Sequence, residues 1–247
     1  MKFGKNMNKY TEFFGFKVIS SSFIIRCLES GTSIINCLNA HAYNVTEREV
    51  EFKNAMMNSF IIADGVSISM TAKLMGRKVE RITGWDAFTL LNSELNKSVN
   101  KKVFFLGSTE ETLSLITRRF NHEYSNISVS SYSPPFSDNF SKEENNKIIE
   151  IIKRFDPDVI YVGMTAPKQE LWVANNAEFF NNVTFVSVGA VFDFYAGKIK
   201  RAPQILRVLG MEWLHRSIVS PKRLGKRNLV SNPEFIVRLI WKFIYGR

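Results

Sequence analysis

The residues best suited to chemistry follow short apolar runs with the composition of β-strands. Asp64 comes directly after the apolar run 60–63. Another apolar run, 159–162, is followed by a turn that carries a cation, an amide and a carboxylate, at Lys168, Gln169 and Glu170. Ligands of open α/β sheets bind beyond the carboxyl ends of the strands. The sequence therefore predicts a crevice that binds an anionic, sugar-like substrate.

Asp64 has two interpretations. An aspartate before a glycine is typical of a turn or of a cap on the next helix, and spacing alone favours that structural role. A carboxylate at the end of a strand can also take a proton from a sugar hydroxyl that attacks an anomeric carbon. Residue types alone leave both interpretations open.

A second candidate site, for a phosphate, lies around Gly107. The predicted strand 103–106 ends at this glycine, and a helix begins at Ser108 and Thr109. The backbone N–H groups at such a helix N-terminus suit a phosphate. The segment lacks the Gly-Lys-Ser/Thr ending of a Walker A loop, and it is not G-x-G-x-x-G. An ordinary strand-to-helix turn is the alternative.

The sequence gives no metal-binding pattern. Asp156 and Asp158 have DxD spacing, but they precede the strand 159–162 and so belong at the opposite end of the sheet from the crevice. Cys27 and Cys37 form neither a CxxC pair nor a disulfide framework, which fits a reducing cytoplasm. We expect no metal and no cofactor.

The basic residues are unevenly distributed. The chain of 247 residues has a net charge of +10, and residues 198–247 hold 12 basic and 2 acidic residues. Residues 1–197 are balanced, with 21 of each. A basic tail attracts a membrane surface, a diphosphate or nucleic acid. We therefore divide the chain into an α/β body, 1–197, and a basic appendage, 198–247, in which aromatic residues alternate with the charges.

The segment 235–245 is the most membrane-like part of the chain. It is far shorter than the roughly 20 residues that span a bilayer. Arg238 and Lys242 share one helical face with apolar residues around most of the rest, which suits a helix at the lipid headgroups. A core-packing helix or a dimer contact is the alternative. The N-terminal residues do not have the pattern of a signal peptide.

Apolar runs of strand length alternate with amphipathic stretches along the chain. The predicted strands are 17–19, 33–38, 60–63, 103–106, 128–131, 159–162 and 184–188. The predicted helices are 20–30, 42–57, 66–76, 85–98, 109–121, 141–154, 167–178, 203–218 and one near 233–245. This alternation predicts a Rossmann-like α/β fold, with a mainly parallel sheet and helices on both faces, plus a helical C-terminal appendage.

An ordered series of motifs resembles the WecG/TagA/CpsF glycosyltransferase family over roughly residues 15–230. The C-terminal motifs are Pro167-Lys168-Gln169-Glu170, the segment Gly189 to Gly197, Arg201-Ala202-Pro203, Glu212-Trp213-Leu214-His215-Arg216 and Pro221-Lys222-Arg223. The upstream motifs are Asn39-Ala40-His41, Ala63-Asp64-Gly65 and the segment Glu80 to Asp86.

The resemblance implies an inverting, metal-independent transferase with Asp64 as the catalytic base. It implies a UDP-sugar donor carrying N-acetylmannosamine, its uronic acid or glucose, and a polyprenyl-diphosphate-linked sugar acceptor. The product would be a building block of a surface polysaccharide or wall polymer. The implied binding residues are Cys37, Asn39, Arg81, Asp86, Gly107, Lys168, Gln169, Glu170, Asp193, Arg201, Arg216 and Arg223.

By the same resemblance, the appendage brings arginines over the site and associates with the cytoplasmic face of the plasma membrane, and a homo-oligomer is compatible with the sequence. Two positions depart from the family pattern: Cys37 stands where threonine is common, and Thr165 where glycine is usual. The alternatives are a nucleic-acid-binding protein that uses the basic tail and a nucleotide-dependent oxidoreductase. The latter is disfavoured because G-x-G-x-x-G is missing.

Overall fold

The computed structural model describes residues 10–208 and 226–245, with the side chains of 10–206 and 230–245. Eight strands form one sheet in the order β1-β2-β4-β3-β8-β7-β5-β6, in which only β1 is antiparallel to its neighbour. The strands are β1 (Thr11–Phe13), β2 (Phe16–Val18), β3 (Ser33–Leu38), β4 (Phe60–Ala63), β5 (Lys101–Gly107), β6 (Ile127–Tyr132), β7 (Val159–Gly163) and β8 (Thr184–Ser187).

Helices cover both faces of the sheet. They are α1 (Ser21–Cys27), α2 (Ala40–Thr46), α3 (Val50–Met57), α4 (Val66–Leu74), α5 (Gly84–Leu95), α6 (Glu110–Glu123), α7 (Lys142–Phe155), α8 (Lys168–Asn176), α9 (Val191–Tyr195), α10 (Gln204–Val208) and α11 (Lys226–Tyr245). A short 3-10 turn, Ala177–Phe179, follows α8. The prediction of a Rossmann-like α/β fold is confirmed.

The pleat of the central strands divides the hydrophobic core between the two faces. Val103 and Phe105 of β5 pack with α1, α5, α6 and α9 on one face. Phe104 and Leu106 point the other way, toward α7 and α8. A third cluster lies under α2, α3, α4 and α11. Because a parallel sheet is buried on both sides, its strands are continuous apolar runs, and this explains why all seven predicted strands are present.

Three elements differ from the sequence prediction. The hairpin strand β1 and the short helix α9 were not predicted. The predicted helix 42–57 is divided into α2 and α3, because Glu49 adopts an extended conformation with φ −121° and ψ 108°. The break contains no glycine or proline, but its neighbours Glu47 and Arg48 form ion pairs with α11. Tertiary contacts therefore stabilise the break between α2 and α3, which the local sequence does not predict.

The ends of several helices also differ from expectation. Ser141 precedes α7 as its N-cap and accepts a hydrogen bond from the Glu144 amide at 3.1 Å, whereas the prediction began the helix at residue 141. Pro167 is the N-cap of α8 rather than its first residue. The last helix begins at residue 226 and includes Pro233. The predicted residues 209–218 lie outside the described part of the chain.

Candidate functional site

The carboxyl ends of β3, β4, β8, β7 and β5 meet along one edge of the sheet. The chain leaves β3 toward β4, whereas it reaches the adjacent β8 from β7 on the other side. Such a reversal of strand order is where α/β sheets bind ligands. We call the space above these strand ends the crevice.

Two neighbouring segments hold the backbone around Asp64. The Asp64 amide donates to the Leu38 carbonyl at 2.9 Å, and the Ile82 amide donates to the Ala63 carbonyl at 3.1 Å. A parallel bridge pairs Ala63 with Arg81, beyond the point where β2 ends. The half-buried carboxylate of Asp64 and the guanidinium of Arg81 therefore belong to adjacent backbone segments at the same edge of the crevice.

The end of β3 supplies Cys37 and Asn39. The Cys37 thiol donates to the Ser187 carbonyl of β8 at 3.3 Å, which joins the two strands at the point where the order reverses. The Asn39 side-chain oxygen accepts from the Ala42 amide at 3.0 Å and is the N-cap of α2. The cap uses one lone pair of the Asn39 oxygen, so the second lone pair and the amide nitrogen are the groups that could contact a substrate.

Asp86 has a structural role that the sequence prediction did not include. Its carboxylate accepts from the Thr83 amide at 2.9 Å and from the Thr83 hydroxyl at 2.8 Å. The Thr83 hydroxyl oxygen in turn accepts from the Asp86 amide at 3.2 Å, which completes a capping box at the start of α5. These hydrogen bonds of Asp86 fix the helix start, and its expected contact with substrate stays a prediction.

Lys168, the first residue of α8, contacts the loop between β6 and α7. Its ammonium donates to the Ser137 carbonyl and lies 3.7 Å from the centroid of the Phe140 ring. Burial lowers the pKa of Lys168. The lysine therefore links the start of α8 to the loop between β6 and α7, and its expected contact with a phosphate stays a prediction.

Gln169 and Glu170 lie under the crevice. They are only 5% and 2% exposed, and the Gln169 amide nitrogen donates to the Glu170 carboxylate at 2.7 Å. The Gln169 oxygen accepts from the Met164 amide at 3.3 Å. A Cβ on Gly189 would lie 3.9 Å from both polar atoms of the Gln169 amide. The buried pair of Gln169 and Glu170 therefore supports the turns after β7 and β8.

Two glycines let the strand ends approach each other. Gly107 has φ +110°, and a Cβ there would lie 2.8 Å from the Gly163 carbonyl oxygen. A Cβ on Gly163 would lie 2.2 Å from the Phe192 ring. Gly107 is thus required by the close approach of β5 to β7, a reason independent of any contact with phosphate.

The segment after α9 returns toward the crevice. Asp193 lies in the first turn of α9, and its main-chain carbonyl accepts from the amides of Lys198 and Ile199 at 3.0 and 3.2 Å. The Arg201 guanidinium carbon lies 4.6 Å from the centroid of the Trp85 ring. Trp85 was not singled out from the sequence, although an indole in the first turn of a helix at the crevice is a usable signal. Arg216 and Arg223 lie outside the described residues.

Comparison with known protein families identifies the family of this chain. The model of the glycosyl transferase WecG/TagA/CpsF family matches residues 18–247. The chain belongs to this family. It is therefore a glycosyltransferase, and membership of the family does not favour the nucleic-acid-binding or oxidoreductase alternatives.

Two curated relatives show how much of the chain is shared. A protein of Bacillus subtilis (strain 168) is 25% identical over 210 residues, which cover 84% of this chain and 79% of the relative. A protein of Staphylococcus aureus (strain NCTC 8325 / PS 47) is 32% identical over 184 residues, covering 73% and 68%. Both are named N-acetylglucosaminyldiphosphoundecaprenol N-acetyl-beta-D-mannosaminyltransferase.

The DxD-like pair of this glycosyltransferase lies where the sequence predicted. The Asp158 carboxylate accepts from the Lys101 ammonium at 2.7 Å and from the Lys102 amide at 2.8 Å, at the amino ends of β5 and β7. Among the residues with described positions, no group of three histidine, cysteine, aspartate or glutamate side chains could hold a metal ion.

The appendage of the glycosyltransferase docks on α2 through α11. The Asn44 amide donates to the Ser231 carbonyl at 2.8 Å, and the His41 ring nitrogen Nδ1 lies 3.0 Å from the Ser231 hydroxyl. Phe235 is 1% exposed and meets the Tyr43 ring edge-on at 5.2 Å. Since α2 begins at the crevice, α11 is connected to the site through one helix.

The other side of α11 is apolar and exposed. Its exposed side chains include Val230, Ile236, Val237, Ile240, Trp241, Phe243, Ile244 and Tyr245. Within residues 10–208 and 226–245, no helix has the length and hydrophobicity needed to cross a membrane.

Proposed function

We propose that this glycosyltransferase moves N-acetylmannosamine from a UDP-sugar to N-acetylglucosamine carried on a polyprenyl diphosphate. The two relatives are 25% and 32% identical to the chain, and their names support this transferred sugar and this acceptor. The uronic acid of N-acetylmannosamine and glucose are the other donor sugars that we test. The product would enter a cell-wall polymer or surface polysaccharide.

In the proposed reaction, the Asp64 carboxylate takes the proton from the acceptor hydroxyl. The hydroxyl oxygen then forms a bond to the anomeric carbon from the face opposite UDP, while the bond from that carbon to the diphosphate oxygen breaks. The proton stays on Asp64, UDP departs with the electron pair, and the configuration inverts. The observation that carries this proposal is that Asp64 is fixed at the crevice by main-chain bonds to Leu38 and beside Arg81.

We propose that arginines rather than a divalent metal balance the charge of the departing UDP. A guanidinium donates hydrogen bonds in parallel pairs that match phosphate oxygens. Arg81 and Arg201 belong to segments at the crevice. The motif arginines Arg216 and Arg223 are assigned the same task from the sequence alone.

The lipid-linked acceptor requires a membrane surface, and we propose that α11 meets it. One face of α11, which carries Phe235 and Leu239, packs against the core beneath α2, and a second apolar face, which carries Trp241, Phe243 and Tyr245, is exposed. A helix of this kind lies in the headgroup region with its apolar side toward the acyl chains. The enzyme would then work on the cytoplasmic face of the plasma membrane, with residues 198–247 as the attached appendage.

The decisive experiment measures UDP release from a panel of UDP-sugars in EDTA, with and without N-acetylglucosaminyl-diphospho-polyprenol. We expect release from UDP-N-acetylmannosamine that depends on the acceptor. Release from another donor would overturn the sugar assignment. Activity that is lost in EDTA and restored by a metal would overturn the role of the arginines. Absence of release from every donor, with UDP bound, would overturn the acceptor assignment.

A further inference from the structure

The guanidinium of Arg201 lies over the ring of Trp85, a contact that the sequence did not reveal. Its central carbon is 4.6 Å from the centroid of the Trp85 ring. Trp85 is the second residue of α5, directly after Gly84 and inside the capping box of Thr83 and Asp86. The indole is therefore carried by a helix end whose backbone is held by reciprocal hydrogen bonds.

The indole itself rests on a fixed group of side chains. Its ring centroid lies 6.3 Å from that of Phe88 and 6.1 Å from that of Tyr195. The Tyr195 hydroxyl donates to the Glu123 carboxylate at 2.8 Å, and the Arg119 guanidinium covers the Tyr195 ring at 4.4 Å. A shift of the indole would disturb this packed group, so the ring offers Arg201 a stable surface.

The residue before Trp85, Gly84, lies at the crevice. A Cβ on Gly84 would lie 3.5 Å from the Cys37 sulfur and 3.5 Å from the Val188 carbonyl oxygen, at the ends of β3 and β8. The chain that carries Arg201 is held before it by the ion pair of Lys198 with Glu111 at 2.7 Å, and after it by the buried Ala202. Arg201 thus reaches the crevice from a tethered segment.

A cation–π contact with an aromatic ring can hold a guanidinium in place while the guanidinium keeps its positive charge. The N–H groups of arginine lie in its plane, so an aromatic ring against the face does not compete with phosphate oxygens for them. Stacking also reduces the side-chain freedom that is lost when those hydrogen bonds form.

We infer that Trp85 is a positioning residue that holds the Arg201 guanidinium at the crevice for the diphosphate of the donor. This inference rests on the proposed function, which supplies the diphosphate. Trp85 acts through Arg201 and does not itself take part in the chemistry. A leucine at position 85 keeps apolar volume but removes the aromatic face, whereas a phenylalanine keeps a face.

The test compares Trp85→Leu with Trp85→Phe in the full-length enzyme. We expect Trp85→Leu to raise the Kd for UDP and the KM for the donor by roughly 3- to 30-fold, the range of a partly desolvated cation–π contact. We expect kcat to change much less and Trp85→Phe to recover most of the affinity. Phe179→Leu, which removes the aromatic ring 5.6 Å from the Lys153 ammonium ahead of the amino end of β8, is the control and is expected to leave the UDP affinity unchanged.

A double-mutant cycle with Arg201→Gln separates positioning from general packing. If Trp85 acts through Arg201, Trp85→Leu causes no further loss of UDP affinity once Arg201→Gln is present. Equal losses in both backgrounds would overturn the inference, as would wild-type affinity of a folded Trp85→Leu enzyme. Melting temperatures of all variants identify any that fail to fold, and Trp85→Phe then carries the comparison.

One measurement keeps the inference distinct from the proposed function. In enzyme labelled with ¹⁵N-arginine, the ring current of Trp85 shifts the Arg201 Nε–H resonance, and Trp85→Leu removes that shift. The shift could be present although Arg201→Gln binds UDP with wild-type affinity. That result would overturn the proposed task of Arg201 but would confirm its contact with Trp85. A missing shift would overturn the stacking, whatever the enzyme transfers.

Discussion

The main-chain amide of Asp64 donates a 2.9 Å hydrogen bond to the carbonyl of Leu38, the last residue of β3. Two strands that are neighbours in the sheet thus continue their ladder by one step beyond β4. On the other side of β4, the Ile82 amide binds the Ala63 carbonyl at 3.1 Å. The proposed base therefore has a backbone fixed from both sides, which limits the motion of its carboxylate.

Asp64→Asn removes the proposed base while it keeps the size of the side chain. We expect kcat to fall by about 10²- to 10⁴-fold, the usual contribution of general-base catalysis, with the Kd for UDP changed only a few-fold. Acceptor-dependent UDP release and calorimetry measure the two quantities. Asp158→Asn, at the opposite end of the sheet, is the matched control and should keep its turnover. Near wild-type turnover by Asp64→Asn would exclude Asp64 as the base.

Gly163→Ala tests the close packing under the crevice. The added Cβ would lie 2.2 Å from the Phe192 ring, so the ring or the strand must move. Overpacking of this kind destabilises by about 1–3 kcal/mol, which thermal or urea unfolding detects. Adding Phe192→Leu should recover part of the loss because it makes room for the methyl group. An alanine variant as stable as the wild type would show that Phe192 can move without cost.

Ile240→Ser combined with Trp241→Ser tests the apolar face of α11. These side chains are 51% and 61% exposed, so we expect little change in the free energy of unfolding. Binding to anionic liposomes should weaken at least about tenfold, because burial of each large apolar side chain contributes about 1.5–3 kcal/mol. Co-sedimentation measures this. Ile205→Ser, at a residue that is 73% exposed, is the control.

Unchanged liposome binding by the double variant would contradict a membrane role for this face. The exposed face of α11 would then be expected to contact a second copy of the chain instead. Light scattering on the same proteins tests this. If the face joined two copies, the double variant would have a lower molar mass than the wild type.

The docking of α11 should depend on pH through Glu234. Burial raises the pKa of this carboxyl, but hydrogen bonds from Arg238 and Arg48 outweigh that effect, so the pKa lies below its ordinary value of 4.5. A lowered pKa in the folded state stabilises the protein above pH 4.5, and the contribution is lost as the pH falls through the folded-state pKa.

Glu234→Gln should therefore be less stable than the wild type at pH 7, by less than about 1 kcal/mol because the partner arginines are partly exposed. The difference should shrink as the pH falls below 4.5. Urea unfolding at several pH values measures it. A difference that is constant across the range would mean that shape rather than charge at position 234 matters.

Local sequence was enough to find seven of the eight strands and the edge of the sheet that forms the crevice, but it did not reveal the partners of the polar side chains. Lys168, Gln169 and Glu170 follow β7 as predicted, yet the lysine turns to Ser137 and Phe140, and the other two are buried. The partners of these side chains come from other segments, and the sequence pattern of one turn does not specify them.

The sequence by itself determined the parallel α/β fold, the edge at which Asp64 lies and the concentration of positive charge in the last fifth of the chain. These follow from buried apolar runs, their alternation with helices and a count of charges. Only the tertiary structure decided that Trp85 lies under Arg201 and that α11 docks on α2 with a second apolar face outward. Those contacts join residues far apart in the chain, so they exist only once the sheet has brought their segments together.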